Sequence, residues 1–174
     1  YEQYKAGTLD IHEFLDFQLK PLSRHARKVL DAWHEEFMRR KVRPMMTPKG
    51  RELVAKHLAA GDVCVIVTAT NSFITAPIAA QFGIHHLIAT EPEEICGRFT
   101  GKVNGVPSYR DGKVTRLRSW LAQRQEDLAG SWFYSDSHND LPLLELVEHP
   151  VAVNPDTILS RHAQQRGWPI MHLA

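Results

Sequence analysis

Cysteine is scarce in this 174-residue chain: Cys64 and Cys96 are the only two, far apart and in no C-x-x-C pair. That excludes a disulfide framework and a cysteine-built zinc ribbon, and Cys64, set in an apolar run, reads as a small buried hydrophobe. The ten histidines show no H-x-H or H-E-x-x-H spacing, so a histidine zinc centre is not expected either. No apolar run approaches the roughly 18–20 residues that span a bilayer, and no signal-peptide pattern opens the sequence. Neither sign of charge dominates: 21 Lys and Arg face 20 Asp and Glu, for a net +1. A basic nucleic-acid surface and an acidic disordered tail are both excluded by that balance. Repeats and low-complexity tracts are missing too. The expectation is a soluble cytoplasmic protein, without nucleic acid or membrane as partner, long enough to bury a real core. Nothing in the sequence sets an oligomeric state.

What is present is concentrated in Ser135-Asp136-Ser137-His138-Asn139-Asp140-Leu141-Pro142-Leu143-Leu144. An apolar run, Trp132-Phe133-Tyr134, precedes it and Leu143 to Val147 follows, the pattern of a strand ending in an acidic loop that opens a helix. Asp136 and Asp140 then converge at the C-terminal end of a strand, where open α/β sheets bind ligands. Hard oxygen donors on a tight loop suit Mg²⁺, which takes one or two carboxylates and shares a phosphate. Taken alone, the loop reads more readily as an Asp N-cap with an acid in the first helical turn; the rest of the chain reverses that.

Along the chain, residues 1–44 read as helical, with Pro21 separating two helices and Pro44 ending the second. Thr47-Pro48 starts a helix that stops at Gly61. Val63 to Val67 is a continuous β-branched run, predicted as a strand buried on both faces of a parallel sheet. A helix from about Ser72 to Phe82 contains Pro77, and His86 to Thr90 is the next strand. Arg98 to Tyr109 suggests a hairpin turning at Asn104-Gly105. Asp111-Gly112-Lys113 opens a further helix; strands at 132–134 and 151–153 follow, then a helix ending near Gly167 and an edge strand at 169–171. The predicted fold class is α/β, a doubly wound (Rossmann-like) parallel sheet core with a small helical cap: cap over 1–44, core over 45–174.

In such a core three polar sets fall on one edge of the sheet. Thr68, Ala69, Thr70 and Asn71 end a strand at a helix N-terminus, a place for an anion. Lys113 supplies a point charge for a phosphate. Asp136, Asn139 and Asp140 make the metal corner. Hydroxyl, lysine and carboxylates around one anion are what phosphoryl transfer needs. Singly, Thr68 also reads as a plain strand residue and Lys113 as a solvated charge. Val65 to Asn71, Gly112-Lys113 and Tyr134 to Leu144 resemble the second, third and fourth motifs of the haloacid dehalogenase superfamily, in its phosphoserine-phosphatase-like branch and its histidinol-phosphatase-like group. The resemblance implies that Thr68 hydrogen-bonds a transferring phosphoryl group and that Lys113 stabilises its charge. It further implies that Asp136 binds Mg²⁺, that Asp140 binds it or its water shell, and that Asn139 fixes the loop. Ser135 and Ser137 stand where the family usually has glycine, and Ser137 keeps its backbone N–H in the loop.

The family's first motif, Asp-x-Asp, is absent: no Asp here is followed two residues later by another. Its first Asp is the nucleophile that becomes an aspartyl phosphate, its second the general acid/base. The expectation is therefore that these residues derive from a longer protein whose first core strand is not included, and that they are inactive alone. The full-length protein reads as a Mg²⁺-dependent phosphatase of small phosphorylated metabolites. Alternatives are a non-catalytic phosphate- and metal-binding module, or a phosphotransferase or lipid-phosphate phosphatase on the same scaffold. Arg24, His25, Arg27, Arg39 and Arg43 are candidates for touching a substrate's charged end, each reading more readily as a solvated helix charge.

Overall fold

Helix α1 (Ile11–Ser23) opens the computed structural model, which describes residues 10–173. Asp10 caps it, its carboxylate accepting from the amides of His12 and Glu13. Leu15 and Leu19, one turn apart, are its buried face. Residues 1–9, the start of the stretch expected to be helical over 1–44, lie outside the described residues. Pro21 does not separate two helices as expected; it sits in the last turn of α1, and the break follows at Arg24 to Ala26. A proline there forfeits only one backbone bond, and the turn closes with the Arg24 amide on the Pro21 carbonyl.

Helix α2 (Arg27–Phe37) runs on through a wide π turn at Met38–Val42 into a last turn at Arg43–Met45. Pro44 therefore does not stop the helix before it, contrary to expectation. The wide turn restarts the bond pattern, with the Arg43 amide reaching the Met38 carbonyl, and places Pro44 in a new first turn where it needs no N–H. Helix α3 (Pro48–Ala59) begins as expected, the Thr47 hydroxyl accepting from the Gly50 amide.

Strand β1 (Val65–Asn71), helix α4 (Ser72–Gln81) and strand β2 (His86–Ile95) form a parallel crossover, with Val65 opposite His86 and Val67 opposite Ile88. The expected burial of this first strand on both faces is not found. Val65 to Val67 are half-buried and Val63 is exposed, because β1 stands at the edge of a sheet ordered β1-β2-β3. Strand β2 is longer than expected. Its second half pairs antiparallel with β3 (Arg98–Asn104), and α1 packs on β3. The hairpin turns at Cys96-Gly97, not at Asn104-Gly105. A two-residue hairpin loop wants positive φ at both central positions, and Cys96 (51°) and Gly97 (73°) provide it. Gly105 (74°) is also left-handed but only terminates β3.

Beyond Tyr109 the chain forms a second unit. Helix α5 (Asp111–Arg124) leads to β4 (Trp132–Ser135), a single 3₁₀ turn at His138–Asp140 and the short α6 (Leu141–Leu144). Strand β5 (His149–Val153), helix α7 (Thr157–Arg166) and β6 (Ile170–Met171) complete a parallel sheet ordered β4-β5-β6. Leu144, Ala152, Leu159 and Ala163 form its buried centre, with Phe133, Leu141 and Trp168 around them. Parallel sheets carrying crossover helices give the expected mixed α/β class.

Candidate active site

In the first unit the strand-end cluster is a built turn. The Thr70 amide donates to the Thr68 hydroxyl at 3.1 Å, which fixes the chain just before α4 begins. Asn71 is buried and caps α4, its side-chain oxygen accepting from the Ile74 amide at 3.2 Å. The Asn71 carbonyl also accepts from the Thr75 hydroxyl. Asn71 thus holds the turn, while Thr68, half-buried, and Thr70, exposed, are the hydroxyls that stay accessible. Ala69 contributes backbone between them.

In the second unit Lys113 and Asp140 meet, both over 90% buried, with Nζ 2.5 Å from Oδ1. The other carboxylate oxygen of Asp140 accepts from the Ser135 hydroxyl at 2.7 Å, and the Ser137 amide donates to that same hydroxyl. Two buried charges hydrogen-bonded this way hold each other's geometry, since losing either would strand the other. Asp136, one residue past β4, is exposed, and its carboxylate has no side-chain partner among the described residues. One carboxylate is therefore anchored and the other open.

The loop between them is tied down by residues outside the motif. Asn139 is buried; its side-chain oxygen accepts from Arg110 Nε at 3.0 Å, and its amide donates to the Ser137 hydroxyl. Asp156 caps α7 through the Leu159 amide and also accepts from the His138 amide and ring Nδ1, both at 2.8 Å. Its own amide donates to the Asp136 carbonyl. Burial alone would raise the Asp156 carboxyl, but these hydrogen bonds outweigh it and hold the group below its ordinary value. Sequence reasoning passed over Arg110 and Asp156. Asp156 had a signal, an Asp directly before Thr157-Ile158-Leu159; Arg110, with φ 47° at the residue before α5, had none.

Among the described residues no group of three or more His, Cys, Asp or Glu converges as a closed cage. An open carboxylate at Asp136 beside the hydrogen-bonded Asp140 instead fits Mg²⁺, which keeps several waters and a phosphate oxygen in its shell. Of the candidate substrate-facing cations, Arg24 and Arg39 are exposed and His25 meets Trp33 edge to face, ring centres 4.7 Å apart. Arg27 and Arg43 line a cavity within the first unit.

Comparison with known proteins follows the same lines. The chain is 46% identical to a histidinol-phosphatase of Neisseria meningitidis over 99% of its own length and 79% of that protein's. It spans only 36% to 46% of several further curated relatives. A crystal structure from Bordetella pertussis, titled as a protein of unknown function, superposes with a TM-score of 0.94 at 50% identity, covering 99% of this chain and 79% of that one. A probable phosphoserine phosphatase from Vibrio cholerae shares the fold, with a TM-score of 0.74 at 20% identity over 99% of this chain and 50% of the other. Residues 1–145 match the profile of the haloacid dehalogenase-like hydrolases, and it is to this family that the chain belongs.

Proposed function

We propose that the full-length protein is a Mg²⁺-dependent phosphatase acting on small phosphorylated metabolites through an aspartyl-phosphate intermediate. The observation that carries the reading is the buried Lys113–Asp140–Ser135 cluster beside the open Asp136 carboxylate. In this reading Lys113, fixed by Asp140, offers its remaining ammonium protons to a phosphoryl oxygen. In the first unit the Thr68 hydroxyl, positioned by the Thr70 amide, is the phosphate donor that the second-motif resemblance implies. Asp136, with Asp140 behind it, holds the cation, which supplies charge neutralisation as the phosphoryl group transfers. Ser137 and Asn139 keep the loop in shape. No Asp-x-Asp in the chain supplies the nucleophilic carboxylate of this reading, in which 45–174 form the core and 1–44 the helical cap. A cytoplasmic setting agrees with Cys64 and Cys96, both free thiols.

The full-length protein with Mg²⁺ should release inorganic phosphate from members of a metabolite panel that includes phosphoserine and histidinol phosphate. EDTA should abolish release, and Asp136→Asn should lower kcat by about a hundredfold or more. No release from any substrate, with Mg²⁺-dependent phosphate binding retained, would replace this reading with that of a binding module.

A further inference from the structure

Among the described residues, four that are not glycine have a positive φ: Cys96, Arg110, Gln125 and Asn154. Three have an ordinary explanation. Cys96 turns the hairpin, asparagine tolerates this region better than most residues, and Gln125, at φ 56° and ψ 37°, sits in the left-handed well as the C-cap of α5. Arg110 is different. At φ 47° and ψ −120° it lies outside that well, in the mirror region that type II′ turns use and glycine dominates. Glycine at 110 would make the same turn without strain, so the turn alone does not account for an arginine.

Its side chain does. Arg110 Nε donates to Asn139 Oδ1 at 3.0 Å, while the Arg110 carbonyl accepts from the Lys113 amide at 2.9 Å and starts α5. One residue thus holds the 3₁₀ turn by its side chain and the turn carrying Lys113 by its backbone. Lys113 then reaches Asp140. The two donors stand three residues apart, one helical turn, and their acceptors are adjacent, so two rungs join the same pair of turns. A single rung would leave a pivot; two fix the rotation of the 3₁₀ turn about α5. Accepting from the guanidinium also orients the Asn139 amide, whose Nδ2 donates to the Ser137 hydroxyl at 3.3 Å. Asp136 depends on that rotation. Its carboxylate has no side-chain partner among the described residues, so the backbone around it sets where it points.

Building on the phosphatase reading, we infer that Arg110 is a positioning residue of the site. It is kept in a strained backbone conformation so that its guanidinium locks Asn139, and through Asn139 the loop that presents Asp136 to Mg²⁺. It acts on the metal corner through the loop and not on the substrate. Outer partners of this kind change metal affinity or turnover by about ten- to a hundredfold.

Arg110→Gly separates strain from function. In the full-length protein its urea midpoint should hold or rise, while Mg²⁺ affinity by calorimetry and kcat each fall about tenfold, with KM within about twofold. Arg110→Lys keeps the charge and the strain but lacks the planar Nε–H, and should lose as much kcat as the glycine variant. Asn139→Ala should lose a similar amount, and Arg110→Gly with Asn139→Ala no more than the larger single change. A raised KM with kcat unchanged would make Arg110 a substrate contact. Additive losses would put its effect outside Asn139, and losses that merely track a fallen urea midpoint would make it structural. Each of these overturns the inference and leaves the phosphatase reading intact. If the parent protein releases no phosphate, that reading fails and hydrogen exchange on the metal-free protein still decides. The amides of Asn139 and Asp140 should exchange about tenfold faster in Arg110→Gly than in the parent, with that of Leu159 unchanged. Equal rates at Asn139 and Asp140 would sink the assignment.

Discussion

A single carboxylate, that of Asp156, joins a helix cap, a histidine and the acidic loop, and its removal tests how the loop is held. Asp156→Ala should lower stability by about 1 kcal/mol from the cap alone. It should also weaken Mg²⁺ affinity, read by calorimetry on the full-length protein, because His138 in the acidic loop loses its tie to the carboxylate. The sign with pH follows from the depressed folded value: the contribution is fully present above the ordinary 3.8 and is lost as pH falls through the lower folded value. The thermal midpoint of Asp156→Ala should therefore converge on that of the parent protein in strong acid. Lys113 offers a second test. Lys113→Met strands a buried Asp140 and should lower stability by about 3–5 kcal/mol, whereas Lys113→Met with Asp140→Leu should recover much of it in urea unfolding. The two thiols should differ as well. Cys96 is exposed in its turn, while burial, followed by the charge of Asp62, pushes the Cys64 thiol above its usual 9.0. Iodoacetamide at neutral pH should therefore label Cys96 first, as peptide mass mapping would show.

Among the elements, the approach of α1 to β3 is set by one glycine. A Cβ on Gly101 would lie 3.3 Å from the Lys20 backbone and 3.2 Å from the Ser23 hydroxyl, at φ +85°. Gly101→Ala should lower stability by roughly 1–3 kcal/mol in urea unfolding, from strain and contact together. This element level is also where the sequence misled. Asn104-Gly105 carries the stronger turn dipeptide, yet the hairpin closes at Cys96-Gly97, because β2 runs on past Thr90 and brings its own partner with it. Pro21 and Pro44 read as breaks for a similar reason: local rules mark where a helix is weakened, and packing of Leu15, Leu19 and Met38 decides where it stops. The Thr47 cap was legible because its chemistry is spent within three residues, whereas Asn71, read as part of an anion site, turned out to cap α4.

At the scale of the whole molecule, the α/β class was readable because β-branched runs, glycine stops and caps alternate at crossover spacing. The two apolar strands Val65–Asn71 and Trp132–Ser135 were legible as strands, while the half-burial of Val65 to Val67 was not, since burial depends on neighbours and not on a run. The acidic loop was legible through Asp136 and Asp140. Its supports, Arg110 and Asp156, come from other elements and gave no pattern of their own within the motif.

Strand β2 belongs to two ladders at once, residues 86–90 parallel with β1 and residues 91–95 antiparallel with β3. The two halves differ in how quickly they can form. A hairpin over a two-residue loop closes in about 1–10 μs, whereas the parallel pair must wait for the α4 crossover to fold and dock. In pulsed hydrogen exchange during refolding, the amides of Glu94, Phe99 and Val103 should gain protection before those of Val65 and Val67. The hairpin then serves as a template on which the strand leading to Thr68 is laid down late. The end of the chain segment that would hold a phosphate thus acquires its shape among the last steps of folding.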